Sequence, residues 1–464
     1  MSFSLRPYQQ EAVQRVRLAF MAGHRAVLFV LPTGGGKTVV FSHIAEQAAA
    51  RGNRIAVLVH RAELLDQACR SLTAMGVRHG VIAAGRSMNL SAPVQVASVQ
   101  TLARRLKQLP ADLFQLLVVD EAHHSNAGTW AAVISHFQSA LLLGVTATPV
   151  RSDGRGLGEF YSALVLGPSA AWLCSEGYLA PARVFAPPLG FSVKGLRRRM
   201  GDFDLTQAAG ELGGSRILGD AVSHYLSHLE GRTAIAFCCS IAHAEAVARA
   251  FVERGVAAAS IDGSMETLHR RQLLEQLGAG ELKVLTSCSL IGEGVDVPSV
   301  GGCLMLRPTQ SLSLHLQMIG RCLRPQPGKE AVILDHVGNI ERLGHHLDEQ
   351  EWTLEGIRRR DQPKAPSVKT CPECFCAMAS ALSICPECGH AFRPEKRELV
   401  TVAGELKELN QQELRRRRRR EQADARSLED LVALGTQRGM KNPRGWARHV
   451  IASRQARGQW ELLA

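Results

Sequence analysis

The stretch LPTGGGKT at residues 31–38 carries the residue types of a phosphate-binding loop. In such a loop backbone N–H groups surround the phosphates, a lysine (here Lys37) pairs with the β- and γ-phosphate oxygens, and a hydroxyl (here Thr38) binds Mg2+. Leu31 stands where the usual pattern has its first glycine. The predicted phosphate contacts are Thr33, Gly34, Gly35 and Gly36. A glycine-rich turn is the simpler alternative, but the apolar run before the stretch and the helical pattern after it favour the phosphate-binding loop.

A second stretch, LLVVDEAHH at 116–124, places two carboxylates at the end of an apolar run typical of a buried strand. We predict that Asp120 holds Mg2+ through water and that Glu121 orients and deprotonates an attacking water. His123 is expected to link this site to a domain interface, and His124 to be structural. An isolated Asp-Glu pair at a strand end is commonly solvated in a turn, but a phosphate-binding loop about eighty residues upstream favours catalysis.

Five of the twelve cysteines lie within eighteen residues, in CPECFCAMASALSICPECGH. Two C-P-E-C half-sites separated by ten residues have the spacing of a structural zinc site with four thiolate ligands. The predicted ligands are Cys371, Cys374, Cys385 and Cys388. Cys376 and His390 are possible substitutes, and free cysteines in a loop are the alternative. Since a site with four protein ligands has no open position, its expected role is to fold a small module.

Composition restricts the functional classes. The chain has 464 residues, 45% of them apolar, which predicts about three domains of a soluble protein. Long apolar runs and an N-terminal export pattern are missing from the sequence, so we expect no membrane partner and a cytoplasmic, nucleoid-associated location. The 55 Lys and Arg exceed the 43 Asp and Glu by 12. Such a balance favours a polyanionic partner, most simply nucleic acid.

Apolar runs alternate with helical patterns twice along the chain, which predicts two tandem α/β domains with parallel sheets and a cleft between them. Between them lies a poorly periodic segment, rich in Gly, Pro and Arg, that we interpret as a connection with some helix. Beyond the cysteines, the segment from Lys396 to Ala464 has 16 Lys and Arg against nine Asp and Glu. The predicted parts are 1–150 (first α/β domain), 151–215 (connecting region), 216–357 (second α/β domain), 364–395 (zinc module) and 396–464 (basic helical tail).

The motifs in the first of these domains resemble those of superfamily 2 helicases and translocases. DEAH at 120–123 lies between PTGGGKT and GVTATP (144–149), as it does in that family. The resemblance implies that LRPYQ (5–9) recognises adenine through Gln9, with Arg6 beside it. It also implies that VLVHRAELLDQ (57–67) and ASVQTLARR (97–105) contact the nucleic-acid strand. The residues expected to couple hydrolysis to domain movement are Thr146, Ala147 and Thr148, together with His123.

The second domain continues the resemblance with LIGEGVDVPSV (290–300) and QMIGRCLRP (317–325). Gly294 and Asp296 match the segment that touches the ribose and the opposite domain. Three further residues match the motif that reaches across the cleft to the γ-phosphate: Gln317, Arg321 and Arg324. An arginine supplied from the second domain would stabilise developing charge only in the closed cleft, so hydrolysis and closure would be one event. The resemblance implies a RecA-like fold for both domains.

Two departures from the family pattern concern Leu31 and Met318. Leu31 is expected to be tolerated, because the glycines from Gly34 onward make the phosphate contacts. Met318 stands where some relatives have an arginine, which bears on the mode of unwinding rather than on hydrolysis. A helicase core followed by zinc cysteines most resembles the RadD-type branch of bacterial or phage DNA-repair proteins, over roughly residues 1–395.

The sequence thus predicts an ATP- and Mg2+-dependent helicase or translocase acting on DNA, single-stranded or branched, in repair or recombination. A single-strand-binding protein is a possible partner, and the six arginines 415–420 are a possible additional phosphate contact. Three alternatives stay open: an RNA helicase, the motor subunit of a restriction system, and a zinc-bearing nucleic-acid binder without catalysis. An obvious P-D…(D/E)-x-K nuclease motif is missing after the core, which disfavours nuclease activity.

Overall fold

The structure is a computed structural model that divides into two compact units, Met1–Arg393 and Pro394–Ala464. It describes residues 4–125, 128–151, 154–186, 196–199, 202–205, 208, 215–229, 231–288, 300–356, 368–379, 381–392, 421–422, 424–425, 427–437 and 442–455.

Seven short apolar strands form the first sheet. They are β1 (Ala26–Val30), β2 (Ile55–Val59), β3 (His79–Ile82), β4 (Val94–Ser98), β5 (Leu116–Asp120), β6 (Leu141–Thr146) and β7 (Ala163–Leu166). Their order is β3-β4-β2-β5-β6-β1-β7, and all neighbouring pairs are parallel. Because helices cover both faces of such a sheet, its strands are almost continuously apolar; all five residues of β2 are buried.

The second sheet has six strands. They are β8 (Ala182–Phe185), β11 (Ala234–Phe237), β12 (Ala258–Ile261), β13 (Val284–Ser287), β14 (Gly302–Met305) and β15 (Ala331–Asp335); β9 (Arg198–Arg199) and β10 (Asp202–Phe203) form a separate antiparallel pair. The six strands are parallel in the order β12-β13-β11-β14-β15-β8. The prediction of two parallel-sheet α/β domains is therefore confirmed.

Helices connect these strands. In the first domain they are α1 (Pro7–Met21), α2 (Lys37–Ala50), α3 (Ala62–Ala74), α4 (Val99–Arg105) and α5 (Gly128–His136), with 3-10 turns at Leu106–Gln108 and Ala122–His124. After them come α6 (Ala170–Ser175), α7 (Ser215–His228), α8 (Ile241–Glu253), α9 (Thr267–Ala279), α10 (Leu312–Gly320) and α11 (Asn339–Leu343). No helix among the described residues is long and apolar enough to cross a membrane.

The core lies on both faces of each sheet, because successive side chains of a strand point to opposite faces. In β1, Val27 and Phe29 belong to one buried apolar cluster, whereas Leu28 and Val30 belong to another. The cluster that contains Phe29 continues onto the second sheet through residues such as Ile235. One continuous apolar core therefore joins the inner faces of the two domains.

The segment expected to be only a connecting region, 151–215, contributes a strand to each sheet. β7 pairs with β1 at the edge of the first sheet, and β8 pairs with β15 at the edge of the second. The sheets thus extend past the expected domain limits at 150 and 216. Strands of four residues at a sheet edge contribute only two residues to each face, so they leave a weak periodic signal in the sequence.

The cysteine module is packed onto the second sheet rather than separated from it. Its hairpin consists of β16 (Val368–Thr370) and β17 (Ala377–Ala379). Cys371 and Met378 share a buried cluster with Phe185 of β8. The N–H of Ala186 donates to the Phe375 carbonyl at 2.9 Å. The module therefore covers the outer face of the second domain at its β8 edge.

In the C-terminal unit, α12 (Leu428–Gln437) and α13 (Pro443–Gln455) pack together. Within the predicted basic helical tail, 396–464, the helix α12 begins after Ser427. The Asp430 N–H donates to Ser427 Oγ, and the Ser427 N–H donates to Asp430 Oδ2, both at 3.0 Å. This reciprocal pairing is a capping box, which fixes a helix start. The helix α13 lies in the same predicted tail. The arginines 415–420 lie outside the described residues.

Candidate nucleotide site and cysteine centre

The phosphate-binding loop lies between β1 and α2. Leu31 is fully buried and continues the line of β1, since its N–H donates to the Thr146 carbonyl at 3.0 Å. Gly36 has φ +88° at the start of α2, and a Cβ there would lie 2.5 Å from Gln9 Nε2. Both facts require glycine at this position. The N-terminal end of α2, with Lys37 and Thr38 as its first residues, therefore faces the space where phosphates bind.

The N-terminal segment braces this loop from the side. The Tyr8 hydroxyl donates to the Gly35 carbonyl at 2.8 Å, and Gln9 Nε2 lies 3.3 Å from the same oxygen. Gln9 Oε1 accepts from the Arg6 N–H at 3.0 Å. The two residues assigned to adenine thus lie beside the loop, and Tyr8 is a loop contact that the motif alone did not identify.

An aromatic cluster adjoins the adenine-reading residues. The Arg6 guanidinium lies over the Tyr178 ring at 4.9 Å, and Tyr178 contacts Tyr8 with ring centroids 4.9 Å apart. Trp172 of α6 packs on the edge of this pair and is 40% exposed. Arginine and aromatic faces are the surfaces on which a purine base stacks. Tyr178 and Trp172 come from the poorly periodic connecting region, where no sequence signal marks them.

The two carboxylates leave β5 directly opposite the loop, because β5, β6 and β1 are neighbours in the sheet. Glu121 has φ +54°, a left-handed conformation that is uncommon for a residue with a side chain. Its N–H donates to Asp120 Oδ1 at 3.0 Å. Backbone strain of this kind is concentrated at functional sites, and here it separates the directions of two consecutive carboxylates.

Burial dominates the electrostatics of this site. Burial, followed by the charge of Glu121, raises the pKa of Asp120 to about 7, and Lys37 opposes that rise. Burial lowers the pKa of Lys37, Glu121 and Asp120 raise it, and Arg321 lowers it further. Arg321 thus lies within electrostatic reach of the phosphate-binding lysine. A divalent cation such as Mg2+ beside Asp120 would favour the charged form of the carboxylate and so oppose the rise in its pKa.

A chain of contacts leads from the carboxylates to the second domain. His123 Nδ1 lies 3.4 Å from Glu121 Oε2 and 3.3 Å from Thr146 Oγ1. Thr146 Oγ1 donates to the Thr148 carbonyl at 2.8 Å, and Thr148 Oγ1 donates to Ser313 Oγ at 2.6 Å. Ser313 belongs to α10 of the second domain, and its role could not be read from the motif. The structure therefore connects three of the four predicted coupling residues, His123, Thr146 and Thr148, through direct contacts.

The C-terminal end of α10 lies against the phosphate-binding loop. A Cβ at Gly320 would lie 2.5 Å from Thr33 Cβ, so only glycine permits this approach. Arg321 follows directly, and Gln317 is buried one turn earlier with no hydrogen-bond partner for Nε2 among the described residues. Arg324 lies beyond the helix and is half-buried. Met318 is buried in the core rather than turned toward the carboxylates. Gly294 and Asp296 lie outside the described residues.

An ion pair also joins the domains away from the nucleotide site. Arg270 Nη1 of α9 lies 2.9 Å from Glu63 Oε1 of α3, and both side chains are partly buried. Together with the Thr148–Ser313 hydrogen bond, this pair joins the two domains directly in the described conformation.

Comparisons with known proteins agree with this geometry. Residues 2–151 match the model for the type III restriction enzyme res subunit, and residues 218–326 match the helicase conserved C-terminal domain. A 51.5 kDa protein of a Lactococcus phage (isolate 7-9) is 32% identical over 388 residues, which cover 83% of this chain and 82% of that protein. The chain belongs to the superfamily 2 helicases.

Two further similarities define the extent of this relation. IRC3 of Saccharomyces cerevisiae, which carries the name of an ATP-dependent helicase, is 28% identical over 354 residues, or 72% of this chain and 51% of that protein. The chain therefore spans about half the length of the yeast relative. In fold it matches the ATP-dependent type ISP restriction-modification enzyme LlaBIII bound to DNA, with a TM-score of 0.54 and 17% identity over 73% of this chain and 28% of that one.

As a superfamily 2 helicase, the protein is an ATP-hydrolysing, nucleic-acid-dependent enzyme that uses Mg2+ with its nucleotide. The structure offers one group for the attacking water and one for a phosphate oxygen. Glu121 Oε2 is buried and accepts no hydrogen bond from the described residues, which leaves it available to an attacking water. Lys37 Nζ lies 3.4 Å from the Leu31 carbonyl, a long contact that a phosphate oxygen can replace.

The cysteine centre brings together the four predicted ligands of the helicase's C-terminal module. The Sγ atoms of Cys371, Cys374, Cys385 and Cys388 all lie within 4.8 Å of one another. Two of the pairs are 3.6 Å apart. This separation is far longer than a disulfide bond, and it is close to the roughly 3.8 Å between thiolates bound tetrahedrally to one Zn2+. Cys376 and His390 lie outside this group.

Gly320→Ala tests the closed cleft. The added methyl group would contact Thr33 and hold α10 away from the phosphate-binding loop, which displaces Arg321. We expect kcat for ATP hydrolysis to fall roughly 10- to 100-fold, as for misplacement of a catalytic group by about 1 Å, while the Kd for ATP changes little. Steady-state kinetics and nucleotide titration measure both.

Gly263→Ala is the matched control, because a Cβ at Gly263 meets no atom within 4 Å. A Gly320→Ala enzyme with the kcat of the wild type would show that α10 does not approach the loop during hydrolysis.

Proposed function

We propose that the protein is an ATP-driven DNA helicase or translocase of the RadD type, acting on single-stranded or branched DNA in repair or recombination. The observation that carries the proposal is the convergence of both domains on one site. The phosphate-binding loop, Asp120 and Glu121 come from the first domain, and Arg321 reaches them from the second. A helicase core followed by a four-cysteine module supports the RadD-type branch.

Each residue of this site has a distinct role in the proposed mechanism. The loop and Lys37 hold the β- and γ-phosphates, and Arg6 and Gln9 hold the adenine. Glu121 orients water in line with the γ-phosphate and accepts its proton. Thr38 and Asp120 would hold Mg2+, which would supply positive charge to the phosphates. Arg321 and Arg324 stabilise the charge that develops in the transition state.

Hydrolysis is coupled to movement through contacts that exist only in the closed state. Release of the phosphate product removes the charge that attracts Arg321, and the Thr148–Ser313 hydrogen bond connects the γ-phosphate site with α10. The domains then separate and close again further along the strand. Because a motor must step over every sequence, its contacts are expected to be made to the backbone of the nucleic acid rather than to base edges.

DNA is favoured over RNA by the resemblance to repair proteins. A restriction motor is the second candidate, supported by the res-subunit model over residues 2–151. It predicts that a nuclease subunit co-purifies with this chain. The purified chain alone is then expected not to cleave plasmid DNA.

The main test is ATPase activity with single-stranded DNA, duplex DNA, forked DNA and RNA. We expect stimulation by single-stranded or forked DNA well above that by RNA. Equal stimulation by all four would contradict a DNA-repair enzyme, and stimulation by none would contradict a nucleic-acid motor.

Lys37→Ala and Glu121→Gln are the catalytic controls for this test. The first removes phosphate binding. The second keeps the size and position of the side chain but cannot accept the proton, so ATP binds while hydrolysis falls by about 100-fold or more. Nucleic-acid-stimulated hydrolysis that survives Lys37→Ala would refute the assigned site.

We also infer that the cysteine centre holds one structural Zn2+. Metal analysis is expected to give about one Zn2+ per chain. Cys371→Ser should lose the metal and several kcal/mol of stability, which lowers Tm by roughly 5–10 °C for a domain of this size. Cys69→Ser in α3 is the control, with metal content and Tm unchanged. A wild-type protein that is purified without metal and has the same Tm as the Cys371→Ser variant would contradict the inference.

A further inference from the structure

A row of three imidazole rings runs from the hydrolytic carboxylate to the end of β2. His123 contacts Glu121, and the ring centroids of His123 and His124 are 4.2 Å apart. His124 in turn lies 4.8 Å from His60, with the two rings edge to face. His60 is the residue that follows β2 and precedes α3. The row therefore leaves the ATP site in a direction opposite to that of the Thr146–Thr148 contacts.

The far end of the row touches both stretches that the family resemblance assigns to strand contact. His60 lies in the first of them, 57–67. Its carbonyl accepts from Gln100 Nε2 of the second stretch at 3.2 Å. Gln100 Oε1 accepts from Ser98 Oγ at 2.9 Å, and the Gln100 side chain is exposed. A strand bound at this edge of the sheet would meet Gln100 next to His60.

The near end of the row is linked to Glu121 through the backbone as well as through the rings. The His124 N–H donates to the Glu121 carbonyl at 3.0 Å within the 3-10 turn. Glu121 itself has the uncommon φ of +54°. Because a residue in a sparsely populated conformation depends on its neighbours to hold it there, the hydrogen bond from His124 helps to hold the turn from which the Glu121 carboxylate projects.

Two buried residues lie next to the row. The buried Trp130 of α5 packs near the His60 ring, with centroids 6.5 Å apart. Ser125, next to His124, is buried and its Oγ lies 2.9 Å from the Tyr161 hydroxyl. The partly buried row therefore contacts packed groups at both His60 and the turn that contains His124.

We propose that His124 is a positioning residue that couples strand binding at His60 and Gln100 to the orientation of Glu121. The proposal rests on the proposed nucleic-acid-dependent function. It assigns a role to a residue that the motif interpretation treated as structural. Coupling between the strand and the ATP site is then carried by two routes: the row of imidazoles within the first domain, and the Thr148–Ser313 contact between domains.

The test is His124→Ala in the full chain, assayed for ATP hydrolysis with and without single-stranded DNA. We expect the ratio of stimulated to basal kcat to fall by roughly tenfold, within the range of known coupling effects, while basal kcat and the Kd for DNA stay within about twofold of the wild type. His124→Phe keeps a ring against His60 and should retain most of the stimulation. Gln100→Ala at the far end should reduce stimulation as well.

His136→Ala is the matched control, because His136 contacts Phe137 and the Leu109 carbonyl, away from the row. Thermal melting of each variant identifies loss of folding. Unchanged stimulation in His124→Ala would overturn the proposal, and so would basal and stimulated kcat falling by the same factor. A wild-type enzyme that no nucleic acid stimulates would instead overturn the proposed function.

Discussion

Two consecutive carboxylates buried in one cleft impose the constraint on which the rest of the site depends. Burial disfavours the charged form of Asp120 and the neighbouring charge of Glu121 adds to this effect, so the pKa of Asp120 rises to about 7. Positive charge must therefore come from elsewhere. Lys37 lowers the pKa of Asp120 from within the same domain. Arg321 lies within electrostatic reach of Lys37 from the second domain, and in the proposed mechanism a divalent cation would supply further positive charge.

The order of strands in the first sheet explains how these groups meet. In a parallel sheet all the loops that follow the strands lie at one edge. β1 leads to the phosphate-binding loop, β5 to the carboxylates and β6 to Thr146, and these three strands are neighbours. β2 and β4 end at the same edge, where His60 follows β2 and Gln100 lies at the start of α4. A single edge therefore holds both the hydrolytic groups and the predicted strand contacts, so only a few side chains need to connect them.

The sequence predicted the motifs and most of the strands because both leave short-range signals. Glycines beside Lys37, paired carboxylates after an apolar run and repeated C-P-E-C half-sites each place several chemical groups within a few residues. The edge strands β7 and β8 were not predicted, since four residues give too little periodicity. Tyr8, Tyr178 and Ser313 were not predicted as site residues either. Their roles depend on contacts between distant segments, such as Thr148 with Ser313, that no local pattern encodes.

Contacts at the β8 edge connect the cysteine centre with the arginine motif. Arg183 of β8 pairs with Glu330 at 3.1 Å and with Glu387 beside the cysteines, so the module and the β8 edge are held together. The Ala180 N–H, two residues before β8, donates to the Leu323 carbonyl at 2.8 Å, next to Arg324. The cysteine module, the β8 edge and the arginine motif thus form one continuous set of contacts. The proposed mechanism requires Arg321 to be positioned to within a fraction of an ångström, and these contacts hold the segment that carries it.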